Sequence, residues 1–173
     1  MKARAKAFTV PAAILAAIGG AAMNATAKTG ASAQDVSYLQ TSISGDRFEI
    51  IGGRLAMQKG TTPAVRALAA RLIKDHSKSL AESVRETKAA GIKVPSAPTP
   101  SMSWELNTVR SFSGTSFDRS YSSLEVKDHQ QDIEETSFEA THGSDPSIKQ
   151  SAKKELPTLK LHLALAEKAS RSV

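Results

Sequence analysis

Between about residues 34 and 170 the chain repeats apolar residues at helical spacing in four long stretches, each bounded by a cap or a breaker, and strand signals are almost absent. That pattern admits an all-α fold and little else. The first stretch runs from about residue 35 to 58, with Gly45, Phe48, Gly52, Leu55 and Ala56 on one side. Glycine inside a helix costs roughly 1 kcal/mol relative to alanine, so glycines kept on an inner face imply close approach of a neighbouring backbone. The second stretch has the clearest start, Thr62 as N-cap followed by Pro63, and ends at Gly91. Val65, Leu68, Ala69, Leu72, Ile73, His76, Leu80 and Val84 form its stripe.

A segment holding Pro95, Pro98 and Pro100 then reads as an irregular linker, with Ser103 capping a short helix from Trp104 to about Phe112. The third long helix is predicted over about 116–141. Its row of Phe117, Tyr121, Glu125, His129 and Ile133, flanked by Asp128 and Asp132, is unusually acidic for a core. Buried charges need partners. The fourth opens at Ser144 or Asp145 with Pro146 in its first turn, and Ile148, Ala152, Glu155, Leu156, Leu159, His162, Leu163 and Ala166 share a face. Pro157 predicts a kink. The expected architecture is an all-α four-helix bundle with a short extra helix in the long connection between helices two and three.

The first residues read differently. Lys2, Arg4 and Lys6 precede an apolar run from Phe8 to Met23, and small-x-small sites follow at Ala25–Ala27 and Ala31–Ala33. This is the pattern of a secretory signal peptide, residues 1–27, with cleavage expected after Ala27 and Ala33 as the alternative. The run is too short, and too interrupted by Pro11, Gly19 and Gly20, for the ~20 residues of a membrane span. One domain is expected over residues 28–173, with a folded core at 34–170, exported and periplasmic or associated with the cell envelope.

The chain has no cysteine, which removes disulfides, thiolate metal sites and thiol nucleophiles. The formal charge of +6 falls to +3 without the leader, a mild excess spread among Glu and Asp on helix faces. With aromatics at 5%, stacking platforms for nucleic acid are lacking, and nucleic acid is excluded as the expected partner. Weak association with an anionic envelope surface is compatible with the charge. No later stretch is apolar enough to span a bilayer, and no serine sits in a nucleophile elbow or recognisable triad, so no catalytic residue is assigned.

Chemistry is concentrated in four residues. Glu49, His76, His129 and His162 lie one on each long helix, and inward residues at similar depth in a helical bundle converge on one point. Imidazole suits zinc, copper and iron, and carboxylate oxygen complements it. A mononuclear centre would use these four. A dinuclear one would add carboxylates from Asp75, Glu125, Asp128, Asp132 or Glu155. The alternative is a buried polar network that specifies packing and holds no metal. Residues three before the histidines are Ile73, Val126 and Leu159, so the Glu-x-x-His pairs of di-iron bundles are missing and a ferroxidase-type oxidoreductase is disfavoured. One ion with bonds near 2 Å requires ligand nitrogens less than about 6 Å apart. The fourth histidine, His142, is read as a C-terminal helix residue.

Several of these residues fall in motifs. Phe48-Glu49-Ile50 with Gly53-Arg54-Leu55-Ala56, then Leu72-Ile73-Lys74-Asp75-His76, Phe117-Asp118-Arg119 with Tyr121, Asp128-His129-Gln130, and Leu156-Pro157 with Leu159 and His162-Leu163 occur in order over about Phe48 to Ala169. In these the chain resembles the exported bacterial family called domain of unknown function 4142. The resemblance implies a ferritin-like fold and no established activity. It carries over Glu49, Asp75, His76, Asp128, His129 and His162; in a metal centre Asp75 or Asp128 would accept from a histidine N–H. Members are commonly labelled outer-membrane proteins, but a membrane barrel needs many alternating strands, and this chain has none in its pattern.

Overall fold

The computed structural model describes residues 30–173, and the leader expected at residues 1–27 lies outside them. Five helices follow in order: α1 Ala33–Lys59, α2 Pro63–Ala89, α3 Pro100–Arg110, α4 Gly114–His142 and α5 Pro146–Ser170. Among the described residues there is no strand. No helix there is long and apolar enough to cross a membrane.

Local chemistry sets the helix ends. Ser32 and Asp35 form a capping box at the start of α1, each side chain bonding the other's backbone N–H. Thr62 caps α2 ahead of Pro63, and Asp145 caps α5 ahead of Pro146. The same cap-then-proline signature starts α3, which corrects the sequence reading. Thr99 is its N-cap and Pro100 its first residue, so the helix begins four residues before Trp104 and ends at Arg110. Proline without an N–H costs nothing at a helix's first position, and this proline belongs to the helix rather than the linker. At the end of α2, Gly91 takes φ 69°, while Gly91 N–H bonds Lys88 O and Ile92 N–H bonds Thr87 O. This paired closure requires a left-handed residue, which glycine supplies without strain. The fifth helix runs through Pro157 as one element, with that residue exposed to solvent.

Each long helix packs on two others: α1 on α2 and α4, and α5 on α2 and α4. The short α3 lies against α1 and α4. Two apolar clusters result. One, toward the α1–α2 turn, holds Leu55, Val65, Leu68, Leu72, Phe117 and Tyr121. The other, at the opposite end, holds Tyr38, Leu39, Ala140, Ile148 and Ala152. Burying each such large side chain contributes roughly 1.5–3 kcal/mol. Of the glycines inside α1, Gly53 brings backbones together, whereas Gly45 and Gly52 face side chains. A Cβ on Gly53 would stand 2.8 Å from Ile73 Cγ1 and 3.1 Å from the Ala69 carbonyl oxygen. Between the two apolar clusters lies a polar layer, and it contains the candidate site.

Candidate metal centre

Each of Glu49, His76, His129 and His162 sits near the middle of its helix and is 4% exposed or less, so all four belong to the buried layer. Burial of Glu49 follows from the glycine-flanked inner face of α1, and that of His129 from the Phe117–Tyr121–Glu125 row of α4. His76 and His162 continue the apolar stripes of α2 and α5.

The three histidines come together. One ring nitrogen from each lies within 4.8 Å of the others. Ring centroids are 5.1 Å apart for His76 and His162, 5.2 Å for His129 and His162, and 5.8 Å for His76 and His129. An ion bonded to three imidazoles at ~2.0 Å with tetrahedral angles places ring centroids about 5 Å apart, and the spacing here is close to that.

In each ring one nitrogen is engaged and the other is not. His76 Nδ1 is 2.8 Å from Asp46 Oδ1, His162 Nε2 is 2.9 Å from Asp75 Oδ2, and His129 Nδ1 donates to the Glu125 carbonyl oxygen at 2.9 Å. The remaining nitrogens, His76 Nε2, His129 Nε2 and His162 Nδ1, are buried with no hydrogen-bond partner in the protein. A ligating histidine is held in this way, its far nitrogen fixed by a carboxylate or carbonyl. Asp75 is itself held by Arg71 one turn earlier on α2. Burial pushes the Asp75 carboxyl up, but the bonds from His162 and Arg71 outweigh it and leave it below its usual range.

Burial makes all three imidazoles poor bases, lowering His76 to about 4, His129 to about 3 and His162 to about 4. They are neutral at pH 7, the form that ligates. Burial also raises Asp46 well above the usual carboxylate range. A cation would reverse that preference, because a bound ion is the largest local charge.

Glu49 stands elsewhere than the four-residue centre requires. It forms a second triad with Asp128 and His129, ligand atoms within 4.8 Å, and does not join His76 and His162 in a group of that size. The expected tetrad is therefore two overlapping triads that share His129. Asp128 likewise bonds no histidine. Of the two acceptors expected, Asp75 occupies the role and Asp128 faces Glu49 instead. Asp46, absent from the sequence reading, holds His76. The signal for it was present: Asp46 lies one turn before Glu49 and beside Gly45, on the face that must be buried.

Other named residues have different surroundings. Glu155 accepts from Tyr38 Oη at 3.2 Å and from Ser79 Oγ at 2.9 Å, so its oxygens are already used. Asp132 and Glu155 line a cavity of about 20 Å³, room for about one water, that reaches Asp46 and His76 between α1, α4 and α5. His142 is exposed at the end of α4, stacked on Phe138.

The family model described as "Domain of unknown function (DUF4142)" matches residues 20–169. Among solved structures, the chain is similar to the crystal structure of a DUF305 fragment from Deinococcus radiodurans. The TM-score is 0.71 and the identity 13%, covering 83% of this chain and 99% of that one. At this identity the likeness concerns the fold. No curated protein matches.

Proposed function

The chain belongs to the DUF4142 family, whose description assigns no activity, and we propose from the site itself that it binds a transition-metal ion between His76, His129 and His162. The observation carrying this is the set of three buried ring nitrogens without partners on three imidazoles whose other nitrogens are fixed. A polar network evolved for packing alone would pair such atoms, since an unsatisfied buried nitrogen costs about 1–3 kcal/mol. Three neutral imidazoles suit zinc, copper or iron. Asp46 and Asp75 orient two of the rings.

The helices are read as a ferritin-like four-helix bundle forming one domain, a metal-binding protein of the cell envelope with no catalytic role assigned. Export to the periplasm rests on the leader pattern of residues 1–27. Cleavage after Ala27 would keep Ser32, whose side chain caps α1, whereas cleavage after Ala33 would remove it.

Metal analysis by mass spectrometry of protein purified from the periplasm tests this. About one zinc, copper or iron per chain is expected, with His162→Leu losing it while remaining folded. A protein that carries no metal, and whose melting is unchanged by added zinc, copper or iron, would overturn the reading in favour of the packing network.

A further inference from the structure

The second triad has its own chemistry. Glu49 is fully buried, and neither of its carboxylate oxygens has a hydrogen-bond partner. Glu125, 1% exposed, leaves Oε2 unpartnered, and Asp128 leaves an enclosed Oδ2. Tyr121, also 1% exposed, turns its phenol toward Glu125, and that hydroxyl too lacks a partner of good geometry. These side chains adjoin one another around Glu49, which lies beside both Glu125 and Asp128, and an oxygen of Glu49 and one of Asp128 stand within 4.8 Å of each other. Among the described residues none of them pairs with a lysine or arginine, and the nearest basic group is His129, with Nδ1 3.7 Å from Glu125 Oε2.

Such a cluster either holds protons or holds a cation. Gly52 of α1 faces the cluster: a Cβ there would stand in ordinary contact, 3.6 Å from Tyr121 Cε2 and 3.7 Å from Glu125 Oε1.

The sharing of His129 decides how the triads relate. Its Nδ1 is committed to the Glu125 carbonyl, leaving only Nε2 for a metal. One nitrogen cannot serve two ions, so an ion beside a filled three-histidine centre must be held by oxygen. We propose that Glu49 and Asp128, with Glu125 and Tyr121 at their edge, form a second cation site that takes a hard divalent ion of the Mn²⁺ class. Carboxylate oxygen selects magnesium, calcium or manganese, whereas imidazole selects zinc, copper or iron. The molecule then carries two adjoining sites of opposite preference, and this one stands without the histidine centre being a metal site.

Mn²⁺ titration of the purified protein, followed by electron paramagnetic resonance of free Mn²⁺, tests it. Wild type and His162→Leu are both expected to bind one Mn²⁺. The double variant Glu49→Gln/Glu125→Gln should bind it at least about 10-fold more weakly while keeping its zinc uptake. The glutamines keep size and remove charge, so the variant should fold, and circular dichroism checks this. If the variant unfolds, Asp128→Asn replaces it with the same expectation. No Mn²⁺ bound to folded wild type would overturn the site and leave a proton-sharing cluster. Equal Mn²⁺ binding by the folded glutamine variant, or loss of Mn²⁺ in His162→Leu, would also overturn it. Zinc uptake without Mn²⁺ sinks this site alone, and Mn²⁺ uptake without zinc sinks only the histidine centre.

Discussion

Asp118 and Asp35, buried near the two ends of this molecule, are treated in the opposite way to Glu49, Glu125 and Asp46 in its middle. At the α1–α2 turn, Asp118 of α4 accepts from Thr61 N–H at 3.0 Å, Thr62 N–H at 2.8 Å and Thr61 Oγ1 at 2.6 Å. At the other end, Asp35 accepts from Ser32 within its capping box and from Ser144 N–H at 2.8 Å in the α4–α5 turn. Each clips a loop to a helix it does not neighbour in sequence. Burial raises both carboxyls, but their hydrogen bonds outweigh it and hold them below the usual range. In the middle, Glu49, Glu125 and Asp46 are raised by burial, and several of their oxygens have no partner. Satisfied carboxylates at the ends build the fold. Unsatisfied groups in the middle burden it unless something binds there.

Substitution should separate the two regions. Asp118→Ala, which orphans the donors at the α1–α2 turn, is expected to cost about 3 kcal/mol, measured by urea denaturation. By contrast, Glu49→Gln in metal-free protein should be neutral or stabilising, because burial disfavours the ionised carboxyl there and nothing offsets that cost. Equal losses from the two would erase the distinction.

A smaller effect is expected at Asp46, which orients His76 without being a ligand. Asp46→Asn should weaken zinc or copper binding about 10–100-fold without abolishing it, read by competition against a chelator. Gly53→Ala, by pushing a methyl group against Ile73 and the Ala69 carbonyl, should destabilise by about 1–2 kcal/mol, with metal stoichiometry unchanged.

The pH response of the ends is the mildest test. Asp118 has a folded pKa below its unfolded one, so its contribution is complete above the ordinary Asp value of about 3.9 and is lost as pH falls through the folded value. Melting temperature should therefore drop on acidification below about pH 4, and less so in Asp118→Asn. An Asp118→Asn profile parallel to wild type would show that this clip contributes nothing to the acid response.

Much of the fold was legible because its determinants are local. Thr62-Pro63 and Asp145-Pro146 announce helix starts through capping and the fixed proline φ. Thr99-Pro100 carries the same message, masked by the neighbouring Pro95 and Pro98 that make the segment look like linker. Burial of His76 and His162 followed from stripes of regular period. Burial of His129 and Glu49 did not, because acidic residues on α4 and glycines on α1 blur the apolar face.

By itself, the sequence determined that the chain is helical, where α2 and α5 begin, and that one histidine would sit near the middle of three of the helices. Tertiary structure alone decided the axial offset between helices. A difference of one turn shifts a side chain by ~5.4 Å, and no local residue pattern encodes it. That offset brings His76, His129 and His162 to one point, sends Glu49 to Glu125 and Asp128, and gives His76 to Asp46 instead of a residue on its own helix.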